Sequence, residues 1–304
     1  QTVYAIARFD HTATKLASGK VLVCGGNGFE RLDAQDQPVF EELTSGYVFD
    51  PATNAFTYAG DVLNVARTGH YATLLPNGQV LIAGGYNGNL YNGQGGTLPA
   101  AELFDEATGT FTLLSANGND MVYPREGGTA DLVGNKVLFV GGMLYAVLQG
   151  NTQVGLYVAP GSEGFDMAAN DFVADGAPSS NRRWHASSKL ATGELVIAGG
   201  DTGQAVLKAV EKYDPATGAF SAMGNGLSAA RARAKSVVVN GDVLVVGGIS
   251  IDRAVTPAVV SEIATGELFN VQFNISESYQ LANGRNGHEV VSLSEGKALV
   301  IGGF

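Results

Sequence analysis

Positively charged residues are scarce in this chain. Its 304 residues include 18 lysines and arginines against 29 aspartates and glutamates, and no run of basic residues occurs. Nucleic acids and anionic membranes are therefore not expected as partners. The single cysteine, Cys24, excludes an intramolecular disulfide. No apolar run approaches the roughly 18 residues that a membrane-spanning helix needs, so we predict no transmembrane segment.

One sequence motif occurs six times along the chain. Each copy contains an apolar segment that ends in Gly-Gly, and the second glycines are Gly26, Gly85, Gly142, Gly200, Gly248 and Gly303. An arginine stands 16 or 17 residues before the first glycine of each pair, namely Arg8, Arg67, Arg125, Arg182, Arg231 and Arg285. Two anchors in register at a period of 49 to 59 residues indicate a repeat architecture. We predict one domain that spans residues 1–304.

Copies one to five each have the pattern of four antiparallel strands, here called a to d. Strands a and b are joined by a two-residue turn such as Asn77-Gly78, which is a strong hairpin signal. A variable loop follows Gly-Gly, and turn chemistry such as Asp-Pro-Ala-Thr then joins strands c and d. The corresponding segment of copy five is SEIATGELF, which ends at Phe269 and lacks Asp-Pro. The pattern predicts an all-β propeller.

The chain resembles kelch repeats over essentially its whole length. The resemblance is carried by Arg-x-x-His, by the strand that ends in Gly-Gly, and by an aromatic-Asp pair before the last turn. It is closest to the bacterial secreted type. The resemblance implies a six-bladed propeller, with distant likeness to the central domain of galactose oxidase and to the sialate mutarotase fold. The blades are expected to start near residues 8, 67, 125, 182, 231 and 285, and residues 1–7 are expected to close the sixth blade. The copper site of galactose oxidase needs a cross-linked cysteine, and Cys24 lies instead in an apolar strand b.

All four histidines follow a repeat arginine by three residues: His11, His70, His185 and His288. A shared metal site is one reading, but each histidine has the same place in its own copy, so we interpret all four as structural. We interpret the six repeat arginines in the same way, as ties within and between blades. An electropositive ring that attracts an anionic ligand is the alternative. No metal site is predicted.

The loops after Gly-Gly differ most between the copies and are expected to line one rim together with the turns after the repeat arginines. Binding residues concentrate on such loops. The candidate ligand-binding residues are Phe9, Tyr86, Tyr91, Arg125, Glu126, Tyr145, Arg182 and Trp184.

The prediction for function is a non-enzymatic extracellular binding or structural module whose rim contacts proteins or glycans. The alternative is a carbohydrate-active enzyme like the sialate mutarotase, with Asp10 and Glu126 as acid and base. No cofactor is predicted, although oxygen-rich segments at Asp33–Asp36 and Asn117–Asp120 are candidate calcium ligands. Secretion is expected, and Asn274 begins a glycosylation sequon.

The sixth copy is shorter than the others. It contains GHEVVSLS and KALVIGGF but no segment for strands c and d. Residues 1–7 match the end of a strand d, so the sixth blade is expected to lack strand c and to have an exposed edge. Such edges recruit other strands, and self-assembly into filaments by strand complementation is one hypothesis. The other hypothesis is that the chain was cut from a longer polypeptide.

Overall fold

A computed structural model of the chain describes residues 7–32, 35, 37–61, 63–91, 94–114, 118–147 and 154–304. In these ranges the protein is all-β, apart from one 3-10 turn at Ser294–Gly296. In the same part of the chain, no helix is long and apolar enough to cross a membrane. The expected closing segment Gln1–Ala7 lies outside the described residues except for Ala7.

The described strands include five four-stranded sheets, each with its strands in the order a-b-c-d. In copy one they are β2 (Thr12–Lys15), β3 (Val21–Cys24), β6 (Ser45–Asp50) and β7 (Ala55–Asp61). In copy two they are β8 (Tyr71–Leu74), β9 (Val80–Ala83), β12 (Ala101–Asp105) and β13 (Thr110–Leu113). In copy three they are β14 (Thr129–Val133), β15 (Lys136–Val140), β18 (Ser162–Asp166) and β19 (Asp171–Ala174).

Copies four and five repeat this arrangement. Copy four has β20 (Ala186–Lys189), β21 (Leu195–Ala198), β22 (Val210–Asp214) and β23 (Ala219–Ala222). Copy five has β24 (Lys235–Val239), β25 (Asp242–Val246), β28 (Thr265–Asn270) and β29 (Ile275–Gln280). Among the described residues, copy six has β30 (His288–Ser292) and β31 (Ala298–Gly302), which pair with each other as an antiparallel hairpin.

The segments after Gly-Gly differ from the sequence prediction, which treated them as loops. Four of them form hairpins of their own: β4 (Asn27–Leu32) with β5 (Pro38–Glu42), β10 (Tyr86–Tyr91) with β11 (Gln94–Thr97), β16 (Met143–Val147) with β17 (Val154–Val158), and β26 (Ile249–Asp252) with β27 (Val259–Glu262). The short strand β1 (Arg8–Phe9) pairs with β4. These segments extend the chain's β structure beyond the four strands of each copy.

The c–d turn of copy five also differs from the prediction. Phe269 lies in strand c and faces Val243, whereas the sequence comparison placed it at the end of strand d. The turn falls instead after Asn270, where the Asn274 N–H donates to the Asn270 carbonyl at 2.9 Å. Ala-Thr-Gly forms a turn where an aspartate two residues earlier accepts the alanine N–H, as Asp105 does for Ala107 at 2.8 Å. Without that aspartate, the threonine and glycine of copy five begin strand c.

The chain divides into two compact units. One comprises Gln1–Leu132, Met143–Tyr157 and Phe165–Val173, and the other comprises Val133–Gly142, Val158–Gly164 and Ala174–Phe304. In the first unit, Leu22, Val80 and Ile82 pack in a fully buried core of strands b from neighbouring copies. In the second unit, Val196 and Val243 of strands b pack with Phe269 of strand c in a buried core. Neighbouring sheets within each unit therefore bury their apolar faces against each other.

Gly-Gly is required where one copy meets the next. The second glycine donates its N–H to the carbonyl of the following repeat arginine, as in Gly26 to Arg67 at 2.8 Å and Gly142 to Arg182 at 2.8 Å. The first glycine has no room for a side chain, because a Cβ at Gly141 would lie 2.0 Å from the Arg182 carbonyl oxygen. Both glycines also have positive φ, which disfavours other residues.

Candidate functional site

The repeat arginines of copies two to five point into their own sheets. Each side chain is fully buried: Arg67, Arg125, Arg182 and Arg231. Arg67 donates to the carbonyls of Gly84 at 2.9 Å and Ala100 at 2.8 Å, and its second terminal nitrogen lies 2.8 Å from a Glu102 oxygen. Arg182 and Arg231 repeat this arrangement with Glu211 and Glu267. These guanidinium groups therefore bind the protein itself and are closed to a ligand.

The glutamate partners were not among the predicted site residues, although the sequence contains their signal. A glutamate stands three residues before the residue that opens the c–d turn in four copies: Glu102, Glu163, Glu211 and Glu267. Backbone N–H groups also donate to the glutamates of the described arginine–glutamate pairs, as the Ser179 N–H does to Glu211 at 2.8 Å. Burial acts to raise the pKa of Glu267, but the Ser228 N–H and Arg231 outweigh it, so this pKa is lowered.

Copy one replaces the glutamate with an aromatic ring. Tyr47 has the equivalent place, and the Arg8 guanidinium carbon lies 5.1 Å from its ring centroid. Arg8 also donates to the carbonyls of Gly25 and Ser45, each at 2.9 Å. The arginine thus keeps its backbone partners and exchanges an ion pair for a cation–π contact.

Each histidine that follows a repeat arginine belongs to its own copy, and of the four only His288 lies within a strand. Burial lowers the pKa of both His70 and His185 to about 3, so both are neutral at ordinary pH. His70 Nε2 lies 2.8 Å from the Thr12 hydroxyl, and His288 Nε2 lies 3.1 Å from the Val246 carbonyl. His11 is exposed. Among the residues that the structure describes, no three His, Cys, Asp or Glu side chains are arranged to hold a metal ion.

The residue two positions after each repeat arginine has a left-handed backbone. Its φ lies between 52° and 68° in all six copies: Asp10, Gly69, Gly127, Trp184, Arg233 and Gly287. Glycine adopts this conformation without strain, whereas a bulky residue there costs of order 1–3 kcal/mol. Trp184 and Arg233 occupy it in consecutive copies, and the Arg233 N–H donates to the Trp184 carbonyl at 2.7 Å. Strained bulky residues side by side point to a functional site.

Two arginines lie over Trp184, and a third shares a buried carboxylate with one of them. We call Arg183, Trp184, Asp201, Arg233 and Arg253 the arginine–tryptophan cluster, and all five belong to the second unit. The guanidinium carbons of Arg183 and Arg233 lie 3.9 and 4.1 Å from the Trp184 ring centroid. These are cation–π distances. Both arginines are therefore held over the tryptophan ring.

A buried carboxylate ties two of these arginines together. Asp201 is fully buried, and one of its oxygens accepts from Arg183 Nε at 3.1 Å and from Arg183 Nη2 at 3.0 Å. Its other oxygen accepts from Arg253 Nη2 at 2.8 Å. Arg253 Nη1 is also buried and has no partner among the described residues. The Asp201 carboxylate thus holds the guanidinium groups of Arg183 and Arg253, and Arg253 Nη1 remains without an acceptor among the described residues.

Strand register explains why Arg183 meets Asp201. In copies one to five, the residue after the repeat arginine pairs across a short bridge with the residue after Gly-Gly; examples are Phe9 with Asn27, Thr68 with Tyr86 and Arg183 with Asp201. In copy four alone these two positions carry opposite charges. The ion pair is therefore built onto a position that the repeat already brings together.

The cluster has a net positive charge in an acidic protein. Three guanidinium groups face one carboxylate there, while the whole chain has a net charge of −11. Only four of the ten arginines lie outside the repeat position, namely Arg31, Arg183, Arg233 and Arg253, and three of them are in this cluster. Planar guanidinium groups bind carboxylate and related anions in a bidentate manner, so the chemistry of the cluster suits an anionic ligand.

The other predicted rim residues are distributed as follows. Phe9 is exposed, with its ring centroid 6.3 Å from that of Phe40. Tyr86 and Tyr145 make an edge-to-face contact with 5.4 Å between centroids. Tyr91 ends strand β10, and its side chain lies outside the described residues.

In the first unit, the Glu126 carboxylate lies beside Gly69, whereas Asp10 meets this glycine only through its backbone carbonyl. The Asp10 carbonyl accepts the Gly69 N–H at 2.9 Å, and a Cβ added to Gly69 would lie 2.9 Å from a Glu126 carboxylate oxygen. The Arg125 and Arg182 side chains, in contrast, are buried and closed to substrate.

The predicted calcium segments are mostly outside the described residues. Asp33, Asp36 and Asn117 fall there, whereas Asp120 is described and already has an interaction partner. Asn274, the predicted glycosylation site, is exposed in the c–d turn of copy five.

Comparison with known proteins shows the fold alone. No protein family and no curated protein matches the chain by sequence. Among solved structures, the chain is similar to one titled "Structure of YjhT", with a TM-score of 0.72 and 13% sequence identity. The match covers 98% of this chain and 91% of that chain. The chain is thus an all-β protein of repeated antiparallel sheets, and the likeness is compatible with a β-propeller.

Proposed function

We propose that the chain is a secreted six-bladed propeller of the kelch type that binds an anionic ligand without chemical turnover. Five sheets of the same order support the repeat, and the hairpin of copy six supports a sixth blade. The fold likeness along 98% of the chain is compatible with this architecture. In this proposal residues 1–304 form one domain, and the extracellular setting remains a prediction.

The observation that carries the binding function is the arginine–tryptophan cluster. Trp184 and Arg233 keep a strained backbone that three other copies avoid with glycine. A protein retains such strain when the side chains are needed. The charge of the cluster selects carboxylate-bearing ligands, and a glycan with uronic acid groups has both the carboxylates and the extended shape that a rim of hairpins can contact.

Binding of polygalacturonate tests this function, with neutral dextran as the comparison polymer. We expect the wild-type protein to bind polygalacturonate and not dextran. Arg253→Gln should weaken binding by about tenfold, because a charge-assisted bond is worth roughly 1.5–3 kcal/mol. Lys235→Gln is the matched control, since Lys235 is a cation outside the cluster that pairs with Glu289. Equal loss in both variants, or no binding by the wild type, would reject the proposal.

The second candidate function is a sugar-processing enzyme. It is favoured by the Glu126 carboxylate, which lies beside Gly69, the residue whose N–H donates to the Asp10 carbonyl. Turnover of sugar anomers by the wild type, abolished in a folded Glu126→Gln variant, would establish this function in place of the first.

A further inference from the structure

Three of the hairpins that follow Gly-Gly are neighbours in the first unit. Strand β5 of copy one contacts β10 of copy two, and β11 of copy two contacts β16 of copy three. The Tyr145 N–H donates to the Thr97 hydroxyl at 3.2 Å, which ties the hairpin of copy three to that of copy two. Side chains from three copies are thus held close together on these hairpins.

Two tyrosine rings meet where the hairpins of copies two and three touch. The Tyr86 and Tyr145 ring centroids are 5.4 Å apart, and the angle between the ring planes is 70°. Both side chains are only partly buried. The electron-rich face of an aromatic ring attracts a cation, and rings at a steep angle to each other form two sides of a cage for an organic cation.

A carboxylate lies beside this tyrosine pair. Glu42 ends β5 and Tyr86 begins β10, and both side chains approach Gly88: a Cβ added to Gly88 would lie 3.5 Å from Glu42 Oε1 and 3.7 Å from the Tyr86 hydroxyl oxygen. Within the part of the chain that the structure describes, the Glu42 side chain has neither a hydrogen bond nor an ion pair. Its charge is therefore available to a cation from solution.

The fold does not require a glycine at residue 88. Gly26 and Gly85 have positive φ, and a Cβ at either would lie within 2.7 Å of a carbonyl oxygen. Gly88 has no left-handed backbone, and a Cβ there would make only ordinary van der Waals contacts. Glycine also weakens a strand relative to alanine. The missing side chain at the exposed Gly88 thus leaves an open space beside Glu42 and Tyr86 that folding alone does not explain.

We propose that this space binds a quaternary ammonium group, such as the trimethylammonium group of choline. The Tyr86 and Tyr145 rings contact its methyl groups, and the Glu42 carboxylate balances its charge. A quaternary ammonium has no N–H to donate, so one acid and two rings suffice to hold it. The net charge of −11 favours the approach of a cation. The site shares no residue with the arginine–tryptophan cluster and is independent of the anion site.

Choline and its uncharged isostere dimethylbutanol, in which carbon replaces the nitrogen, are the first pair of probes. Calorimetry on the wild type should show choline bound at least about tenfold more tightly than dimethylbutanol, because only choline has the charge. Ethanolamine should also bind more weakly than choline, since a primary ammonium is strongly hydrated. Equal affinity for choline and dimethylbutanol, tighter binding of ethanolamine, or no binding of choline would overturn the proposal.

Glu42→Gln supplies the second arm of the test and should weaken choline binding about tenfold, since the ion pair is lost. Glu41→Gln is the matched control: it removes the same charge, but alternation along β5 places Glu41 on the opposite face. Equal loss in both variants would overturn the proposal. If a variant does not fold, the comparison of choline with dimethylbutanol on the wild type still decides.

Gly88→Ala tests the open space itself. The added methyl group has room beside Glu42 and Tyr86, so the melting temperature should stay at or above that of the wild type. Choline affinity should fall about tenfold, because the methyl group occupies the place of the ligand. Unchanged affinity for choline in the folded Gly88→Ala variant would contradict the proposed position of the ligand.

Vesicles of phosphatidylcholine distinguish two sources of the ligand. Vesicle binding that is lost in Glu42→Gln identifies a lipid headgroup as the source. Choline binding without vesicle binding identifies a small solute instead. Either result supports the proposed site.

Discussion

Arg182 and Arg183 are neighbours in sequence but lie in different surroundings. The Arg182 guanidinium enters its own sheet, where it meets the Gly199 carbonyl at 3.2 Å and the Glu211 carboxylate. The Arg183 guanidinium lies over Trp184 and shares Asp201 with Arg253. The first contact set recurs in other copies, while the second occurs once. Recurrence marks the residue that supports the fold, and departure from the repeat marks the cluster that we propose for ligand binding, in which Arg183 is buried and Arg233 is exposed.

The largest effect is expected from removing the recurrent arginine. Arg182→Met should lower the free energy of unfolding by about 3–5 kcal/mol, because it leaves Glu211 buried without its cation. Chemical denaturation measures this loss. Arg8→Met is the matched control: Arg8 faces Tyr47 instead of a carboxylate, so its loss should cost less. Equal stability of Arg182→Met and the wild type would contradict the structural role.

Acid should destabilise the sheets through the buried histidines. Burial lowers the pKa of His70 and His185 to about 3, whereas an unfolded histidine titrates near 6.5. Between these values the unfolded chain binds more protons, so stability falls as the pH drops from about 6.5 to about 3. Each histidine contributes a slope of about 1.4 kcal/mol per pH unit. Denaturation of His185→Gln across this range should show a slope smaller by that amount, and an unchanged slope would reject the assignment.

Placing a bulky residue at another left-handed position should reproduce the strain without the binding. Gly287 has a φ of 68°, and Gly287→Arg should cost about 1–2 kcal/mol of stability. Its affinity for polygalacturonate should equal that of the wild type, because Gly287 lies outside the cluster. Thermal unfolding and binding measured on the same sample check both outcomes. A stability equal to that of the wild type would show that this position tolerates arginine without strain.

The smallest effect is expected from salt, which should weaken ligand binding by the cluster but leave the stability from the buried Arg182–Glu211 pair unchanged. Raising the salt concentration from 50 to 500 mM should weaken polygalacturonate binding roughly three- to tenfold, since exposed charges are screened. The buried Arg182–Glu211 pair should be insensitive, so the melting temperature should change little. Binding that does not respond to salt would argue against recognition of an anion by the cluster.

The repeated parts of the fold could be predicted from sequence because they appear many times. Strands a and b followed from the apolar segments and their tight turns, and the repeat arginines followed from their spacing. The strand c glutamates carried an equally regular signal that was overlooked. The c–d turn of copy five was misplaced because Ala-Thr-Gly alone does not define a turn.

The arginine–tryptophan cluster was only partly accessible to sequence reasoning. Trp184 was a candidate, but Asp201 and Arg253 are 52 residues apart, and only the pairing of strands and hairpins brings them together. The left-handed backbone at Trp184 and Arg233 is likewise visible only when all six copies are compared in three dimensions. The residues of this cluster differ from those at the same positions of the other copies, so the repeat pattern does not predict them.

Arg233→Gly tests the central claim most directly, because stability and ligand affinity are measured on one variant. Glycine occupies the equivalent place in three copies, so the substitution relieves strain while it removes one cation of the cluster. The account predicts an unfolding free energy equal to or above that of the wild type, together with at least tenfold weaker binding of polygalacturonate. Asp10→Gly, at the same position in copy one, should leave binding unchanged. Loss of stability with unchanged affinity in Arg233→Gly would contradict the account.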